Sequence, residues 1–146
     1  LDLLLWLLGP YKKISGFTKT VRPNYEEEDL AVGIIELFSG TLGVITASTV
    51  TFPNSPEKLS LYGTRGSCTI VEGKGIVDWS HKEDIKQPEF KDKLEVPKSI
   101  SSKLSSMYRN HSDFVESILF SRETKVPVRE SMAVVQLVKD FYDFSS

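Results

Sequence analysis

A lone cysteine, Cys68, leaves this 146-residue sequence with no internal disulfide, which fits a reducing compartment. Histidine is almost as scarce. His81 and His111 are the whole supply, and neither stands at metal-ligand spacing with cysteine or with the other. No Gly-x-Ser-x-Gly elbow and no Gly-x-Gly-x-x-Gly fingerprint occurs, so neither a nucleophilic hydrolase nor a self-sufficient dinucleotide-binding unit is supported. Charge of one sign is missing too: 18 Lys and Arg against 20 Asp and Glu give a net charge of -2, and no electrostatic case for nucleic acid. The apolar run from Leu3 to Leu8 falls far short of the roughly 20 residues a spanning helix needs. Asp2 leads that run where a signal peptide wants a basic region, and Gly9-Pro10-Tyr11 follows in place of a small-residue cleavage site. The expectation is a cytoplasmic protein with no membrane partner. Because the first residue is leucine, inside an element already under way, the sequence also reads as a fragment of a longer protein.

What is present is ordinary for a soluble globular protein: 40% hydrophobic and 26% charged residues, enough for one domain, residues 1–146, with a sizeable core. The stretch from Glu28 to Phe52 organises the rest. Leu30, Val32, Ile34 and Phe38 alternate with Ala31, Gly33, Ile35 and Leu37, so both faces of a first strand are apolar and each is expected to be covered. Phe38-Ser39-Gly40-Thr41 turns the chain, and a return strand rich in Val, Ile and Thr runs from Leu42 to Phe52. Pro53 and Pro56 then end it, since neither can donate a ladder hydrogen bond. A loop at a strand end is a natural place for a ligand.

Ahead of this hairpin, Leu3 to Leu8 is apolar all round and suits a short helix buried on most sides, stopped by Gly9 and Pro10. Lys12 to Val21 alternates as a strand with one wet side, Arg22-Pro23-Asn24-Tyr25 breaks it, and the acidic run Glu26 to Asp29 reads as a solvated strand entrance. Beyond the prolines, Lys58 to Tyr62 and Ser67 to Val71 form a second hairpin around Gly63-Thr64-Arg65-Gly66, which lacks the length and the lysine of a phosphate-binding P-loop. Gly73-Lys74-Gly75 leads into a short strand, Ile76 to Trp79. Residues 80–106 read as a long loop or edge strand with Phe90, Leu94 and Val96 as core candidates. Two amphipathic helices follow, Tyr108 to Leu119, with Ser105 or Ser106 as caps, and Met132 to Tyr142. The expected class is α+β: an open, mainly antiparallel sheet of about five or six strands with helices on one face. The other face, with Gly43, Ile45, Ala47 and Thr49, is flat enough for a contact with a second copy.

Few residues carry chemistry of their own. Asp2 is an acid ahead of six apolar residues, either a helix-start acid favoured by the macrodipole or a site residue. His111, beside Arg109 and Asn110 on a helix, either reaches an anionic or hydroxylated ligand or packs at the helix start.

In their order and spacing, several pieces resemble the C-terminal domain of the Gfo/Idh/MocA oxidoreductases, the family of glucose-fructose oxidoreductase and inositol dehydrogenase. They are Leu1 to Pro10, Glu28-Asp29-Leu30-Ala31, Phe38 to Gly43, Leu61 to Ser67, His111-Ser112-Asp113-Phe114 and Phe141 to Ser145. The resemblance implies a substrate-binding and oligomerisation domain whose N-terminal Rossmann partner, carrying NAD or NADP, lies outside this sequence. No cofactor is then expected on the fragment itself, and the fragment alone is expected to be inactive. Hydride would pass between nicotinamide and a sugar or polyol, with the hydroxyl proton handled by a lysine of the Rossmann domain and a histidine three residues ahead of Asp2. The resemblance places Asp2, Phe52, Asn54, Ser55, Arg109 and His111 at the substrate, and Thr51-Phe52-Pro53-Asn54 looks closest to members acting on nucleotide-linked or uronic sugars. Homo-oligomers would form through the open sheet face. The competing reading is a noncatalytic module that uses the same sheet only to oligomerise.

Overall fold

The computed structural model describes residues 1–89 and 104–145; the core candidates Phe90, Leu94 and Val96 lie outside them. Two compact units divide the chain, Leu1–Lys86 with Met132–Ser146, and Gln87–Ser131. The first holds α1 (Asp2–Leu8), β1 (Tyr11–Lys19), β2 (Leu30–Leu37), β3 (Leu42–Ser48), β4 (Lys58–Tyr62), β5 (Gly66–Val71) and β6 (Gly75–His81). The second holds α2 (Ser105–Leu119), and α3 (Val128–Asp143) belongs to the first unit from Met132 onward.

The strands form two antiparallel sheets of three, in the orders β1-β2-β3 and β4-β5-β6, rather than the one sheet of five or six strands expected from the alternation. The α+β class stands. The break lies between β3 and β4, where the return strand stops at Ser48 instead of reaching Phe52. Pro53 and Pro56 have no N–H to give a neighbouring strand, so the chain leaves the first sheet and starts a separate meander at Lys58.

In the first sheet, Ile14 faces Ile35, Gly16 faces Gly33, and Gly33 and Ile35 in turn face Ile45 and Gly43. Because side chains alternate, these six residues share one face, and Phe17, Val32, Ile34, Leu42 and Val44 share the other. The first face is sealed by α3. Leu137 joins Ile14, Ile35 and Leu37 in a core whose members are 2% exposed or less. One turn on, the Phe141 ring lies against the paired glycines, where a Cβ built on Gly33 would stand 2.5 Å from its Cε2. Only glycine leaves room for an aromatic ring that close to the backbone. Tyr11 Oη donates to Asp140 at 2.6 Å, and Tyr142 Oη donates to Glu28, so α3 is tied to β1 and to the entrance of β2.

Leu4, Leu5 and Leu8 of α1 pack on the same core. The helix is not buried all round, since Trp6 is 70% exposed and Leu3 and Leu7 also face outward. A seven-residue helix touching one sheet can bury only one side. Of the two faces of β2 expected to be covered, the first unit itself covers one: within the described residues, the face of Phe17, Val32, Ile34, Leu42 and Val44 is open. Ile45, taken from the sequence as part of the open face, instead packs against the core, and Gly43 approaches the Ile35 side chain. Alternation establishes that two faces exist and leaves undecided which one the helices take.

The second unit is closed by its own polar contacts. Asp113 is buried and accepts the Lys125 N–H at 2.8 Å, while Arg122 pairs with Asp113 at 2.8 Å and with Glu116 at 2.9 Å. These contacts fold residues 120–125 back onto α2. Leu104, and not Ser105 or Ser106, occupies the N-cap position of α2, and it makes no side-chain hydrogen bond there.

Candidate functional site

Asp2 opens α1. Gly9, at φ 84°, ends the helix with its N–H on the Leu5 carbonyl at 2.9 Å, and the leucines at 4, 5 and 8 fix the docked side. The Asp2 side chain is thereby left exposed at a helix start of fixed position, a carboxylate able to accept hydrogen bonds from hydroxyls.

Phe52, Asn54 and Ser55 sit on the loop between β3 and β4, all exposed, and Phe52 is 96% so. The loop is held at its ends. At the first, Thr49 N–H donates to the Asp29 carbonyl at 3.0 Å and Val50 N–H donates to Ser48 Oγ at 3.2 Å; at the second, Glu57 accepts the Glu72 N–H at 2.9 Å. An exposed ring, an amide and a hydroxyl on such a loop offer a flat apolar surface with donors and acceptors beside it, suited to a polyhydroxylated ligand.

The root of this loop rests on a cluster that reading the sequence missed. Glu26 and Glu27 are solvated as expected, but Asp29 is 4% exposed. Its carboxylate accepts the Val21 N–H at 2.7 Å, the Arg22 N–H at 3.0 Å and Arg22 Nε at 3.1 Å. Burial pushes its pKa up, but those donors outweigh burial and hold it below the usual carboxylate range. The same guanidinium gives Nη2 to Thr49 Oγ1 at 2.9 Å and lies over the Tyr25 ring, 4.0 Å from its centre. The one available signal was position: Asp29 is the last acid of the run and directly precedes the strand, where the chain turns inward.

Arg109 and His111 lie on α2 in the second unit. His111 is exposed, with Nδ1 hydrogen-bonded to the Met107 carbonyl of its own helix at 2.9 Å. Asp113 is held below the usual range first by the Lys125 N–H, against burial, and then by Arg122, and its bonding makes it a structural group. Asp2, Phe52, Asn54 and Ser55 thus share one unit, and Arg109 and His111 share the other.

Two cavities open within the first unit. One, about 490 Å³, lies on the open sheet face beside Ile34, Leu42 and Val44; the other, about 580 Å³, is bounded by α1, the β2–β3 turn and the β4–β6 meander. None of the expected substrate residues lines either. Among the described residues no group of three His, Cys, Asp or Glu side chains could hold a metal ion, and no helix is long and apolar enough to cross a membrane.

The sequence model of the GFO/IDH/MocA C-terminal domain matches residues 1–69, from α1 into β5. Over those residues the chain is similar to the Gfo/Idh/MocA C-terminal domain family. Solved structures extend the likeness in fold across the rest. The chain matches the WlbA dehydrogenase from Bordetella pertussis in complex with NADH and UDP-GlcNAcA with a TM-score of 0.74 at 20% identity, over 97% of this chain and 38% of that one. The WlbA dehydrogenase from Chromobacterium violaceum, in complex with the same two ligands, gives 0.70 at 22% identity over 97% and 39%. An oxidoreductase from Agrobacterium radiobacter, in complex with NAD+, L-tartaric acid and magnesium, gives 0.67 at 18% identity over 97% and 43%. At these identities the likeness is one of fold, and the chain spans about two fifths of each matched structure. A search of curated protein sequences finds no match.

Proposed function

We propose that this chain is a Gfo/Idh/MocA C-terminal domain, the substrate-facing and assembly part of a cytoplasmic NAD(P)-dependent oxidoreductase that passes a hydride between nicotinamide and a sugar, with a nucleotide-linked or uronic sugar as the favoured class. The family match over residues 1–69 carries this reading, because it takes in both Asp2 and the loop with Phe52, Asn54 and Ser55. The complexes of fold relatives with NADH and UDP-GlcNAcA support the substrate class. Among the described residues every strand pair is antiparallel, and none of them forms the parallel β-α-β unit on which a dinucleotide's phosphates meet a helix start, which supports reading the chain as the substrate-facing part. In the first unit the sugar-binding roles fall to Asp2, which accepts from hydroxyls, Asn54, which accepts and donates, Ser55, which adds a hydroxyl, and Phe52, which covers an apolar ring face; in the second unit Arg109 and His111 are the groups suited to a charged ligand.

The open sheet face fits contact with a second copy. Phe17 at 68%, Ile34 at 63%, Leu42 at 77% and Val44 at 73% exposure form an apolar patch on regular backbone, which also suits the competing reading of a noncatalytic oligomerisation module. Turnover separates the two. Full-length protein mixed with NAD(P) and UDP-linked uronic sugars, with neutral sugars and polyols in parallel, should raise the reduced-nicotinamide absorbance. Asp2→Asn should lower that rate roughly tenfold or more with little change in melting temperature. No turnover of any sugar by a folded, cofactor-bound protein would leave the noncatalytic module standing.

A further inference from the structure

We infer that Arg22 is a positioning residue for the substrate loop, acting through Thr49 to set where Phe52, Asn54 and Ser55 stand; this rests on the sugar-oxidoreductase reading. The loop's direction is decided at its roots, and at the first root one guanidinium meets three groups from three parts of the chain. Nε reaches the Asp29 carboxylate at 3.1 Å, at the entrance of β2; Nη2 reaches Thr49 Oγ1 at 2.9 Å, just past the end of β3; and the Tyr25 ring covers its face at 4.0 Å. Asp29 is the fixed point, because its side chain is 1% exposed and two backbone N–H groups already hold it. Arg22 therefore transmits the position of a buried carboxylate to the third residue before Phe52.

Fold stability does not demand this reach. The main-chain bond from Thr49 N–H to the Asp29 carbonyl joins the same two segments without Arg22, and Arg22 itself remains 39% exposed. What the guanidinium adds is a second, angled tie at the Thr49 side chain. Main chain alone fixes the separation of the segments, whereas the added bond fixes the direction in which the chain leaves β3. A planar fork that bonds through two edges while stacking on a ring is a property of arginine that lysine does not share.

The test uses the full-length protein and its Arg22→Ala, Arg22→Lys and Thr49→Val variants, with UDP-GlcNAcA as the sugar probe and NAD(P) as cofactor. Amide hydrogen exchange is read first. Arg22→Ala and Thr49→Val should each speed exchange in peptides covering residues 49–57 several-fold and leave peptides of β4 to β6 unchanged. Steady-state kinetics is read second. Arg22→Ala should raise the KM for the sugar about tenfold, with the KM for the cofactor unchanged and Arg22→Lys in between, as misplacement of a positioning group predicts. Unchanged exchange at residues 49–57, or faster exchange spread evenly over the unit, overturns the assignment. So does faster loop exchange with an unaltered sugar KM in an active enzyme. If the wild type turns over no sugar, the oxidoreductase reading and the substrate part of this assignment fail together, while exchange still decides whether Arg22 anchors the loop.

Discussion

The two faces of the β1–β3 sheet are built from similar apolar residues and meet opposite fates. One carries Ile14, Ile35 and Leu37 beneath Leu137 and Phe141, with paired glycines hollowed to admit the ring. The other carries Phe17, Ile34, Leu42 and Val44, each at least 63% exposed. The difference is relief. The covered face has a glycine pair that matches one ring, a shape addressed to a particular helix of the same chain. The open face shows β-branched and large side chains at regular spacing, a shape that an equivalent flat surface can meet.

Substitutions can break that contrast. Gly33→Val should have the largest effect, because a side chain there displaces Phe141 and opens the helix from the sheet; a loss of about 3 kcal/mol or more is expected in urea unfolding, and Leu137→Ala should cost roughly 2–5 kcal/mol by leaving a cavity. Asp29 sharpens the contrast through pH. Its folded pKa lies below the unfolded value of about 3.9, so its contribution is present above that value and lost as pH falls through the lower one. Asp29→Asn should be less stable than wild type at neutral pH and show a shallower loss on acidification, read from urea midpoints across the acid range.

A smaller effect is expected where α3 meets β1. Tyr11→Phe removes the bond to Asp140 and should cost roughly 1–2 kcal/mol. The Tyr11 hydroxyl is pushed up to about 12, first by burial and then by Asp140, so its contribution is whole below the unfolded value near 10 and disappears as pH rises through about 12. Stability measured on the alkaline side should therefore fall for wild type and stay flatter for Tyr11→Phe. On the open face, Ile34→Glu should change the stability of the isolated domain by less than about 0.5 kcal/mol. Under the proposed contact with a second copy, the wild type should sediment as a dimer and Ile34→Glu as a monomer; a variant that sediments as the wild type does would contradict that contact.

Much of this fold was legible because it is local. The hairpin of β2 and β3, the second hairpin at Gly63 to Gly66 and both long helices follow from alternation, turn residues and helical spacing. The division into two sheets was not, although its cause stands in the sequence: Pro53 and Pro56 signal the end of a strand, and no local pattern says that they also end a sheet. Which face the helices cover depends on Gly16 facing Gly33 beneath a ring more than a hundred residues away in sequence, and no local pattern encodes that pairing. At the candidate site, the exposure of Asp2 and the loop position of Phe52, Asn54 and Ser55 could be read from helix-start and proline signals. The Arg22, Asp29 and Thr49 cluster could not, because its members fall on three separate segments and Asp29 hides in an acidic run that is otherwise solvated.

Affinity for the sugar tests the functional reading most directly. Under the proposed reading, titration of UDP-GlcNAcA into the full-length protein in the presence of NAD(P), wild type beside Asn54→Ala, should show binding weakened about tenfold by the loss of hydrogen bonds to the exposed amide, with NAD(P) affinity unchanged. Equal sugar affinity in the two proteins would contradict the assignment of the β3–β4 loop to the substrate.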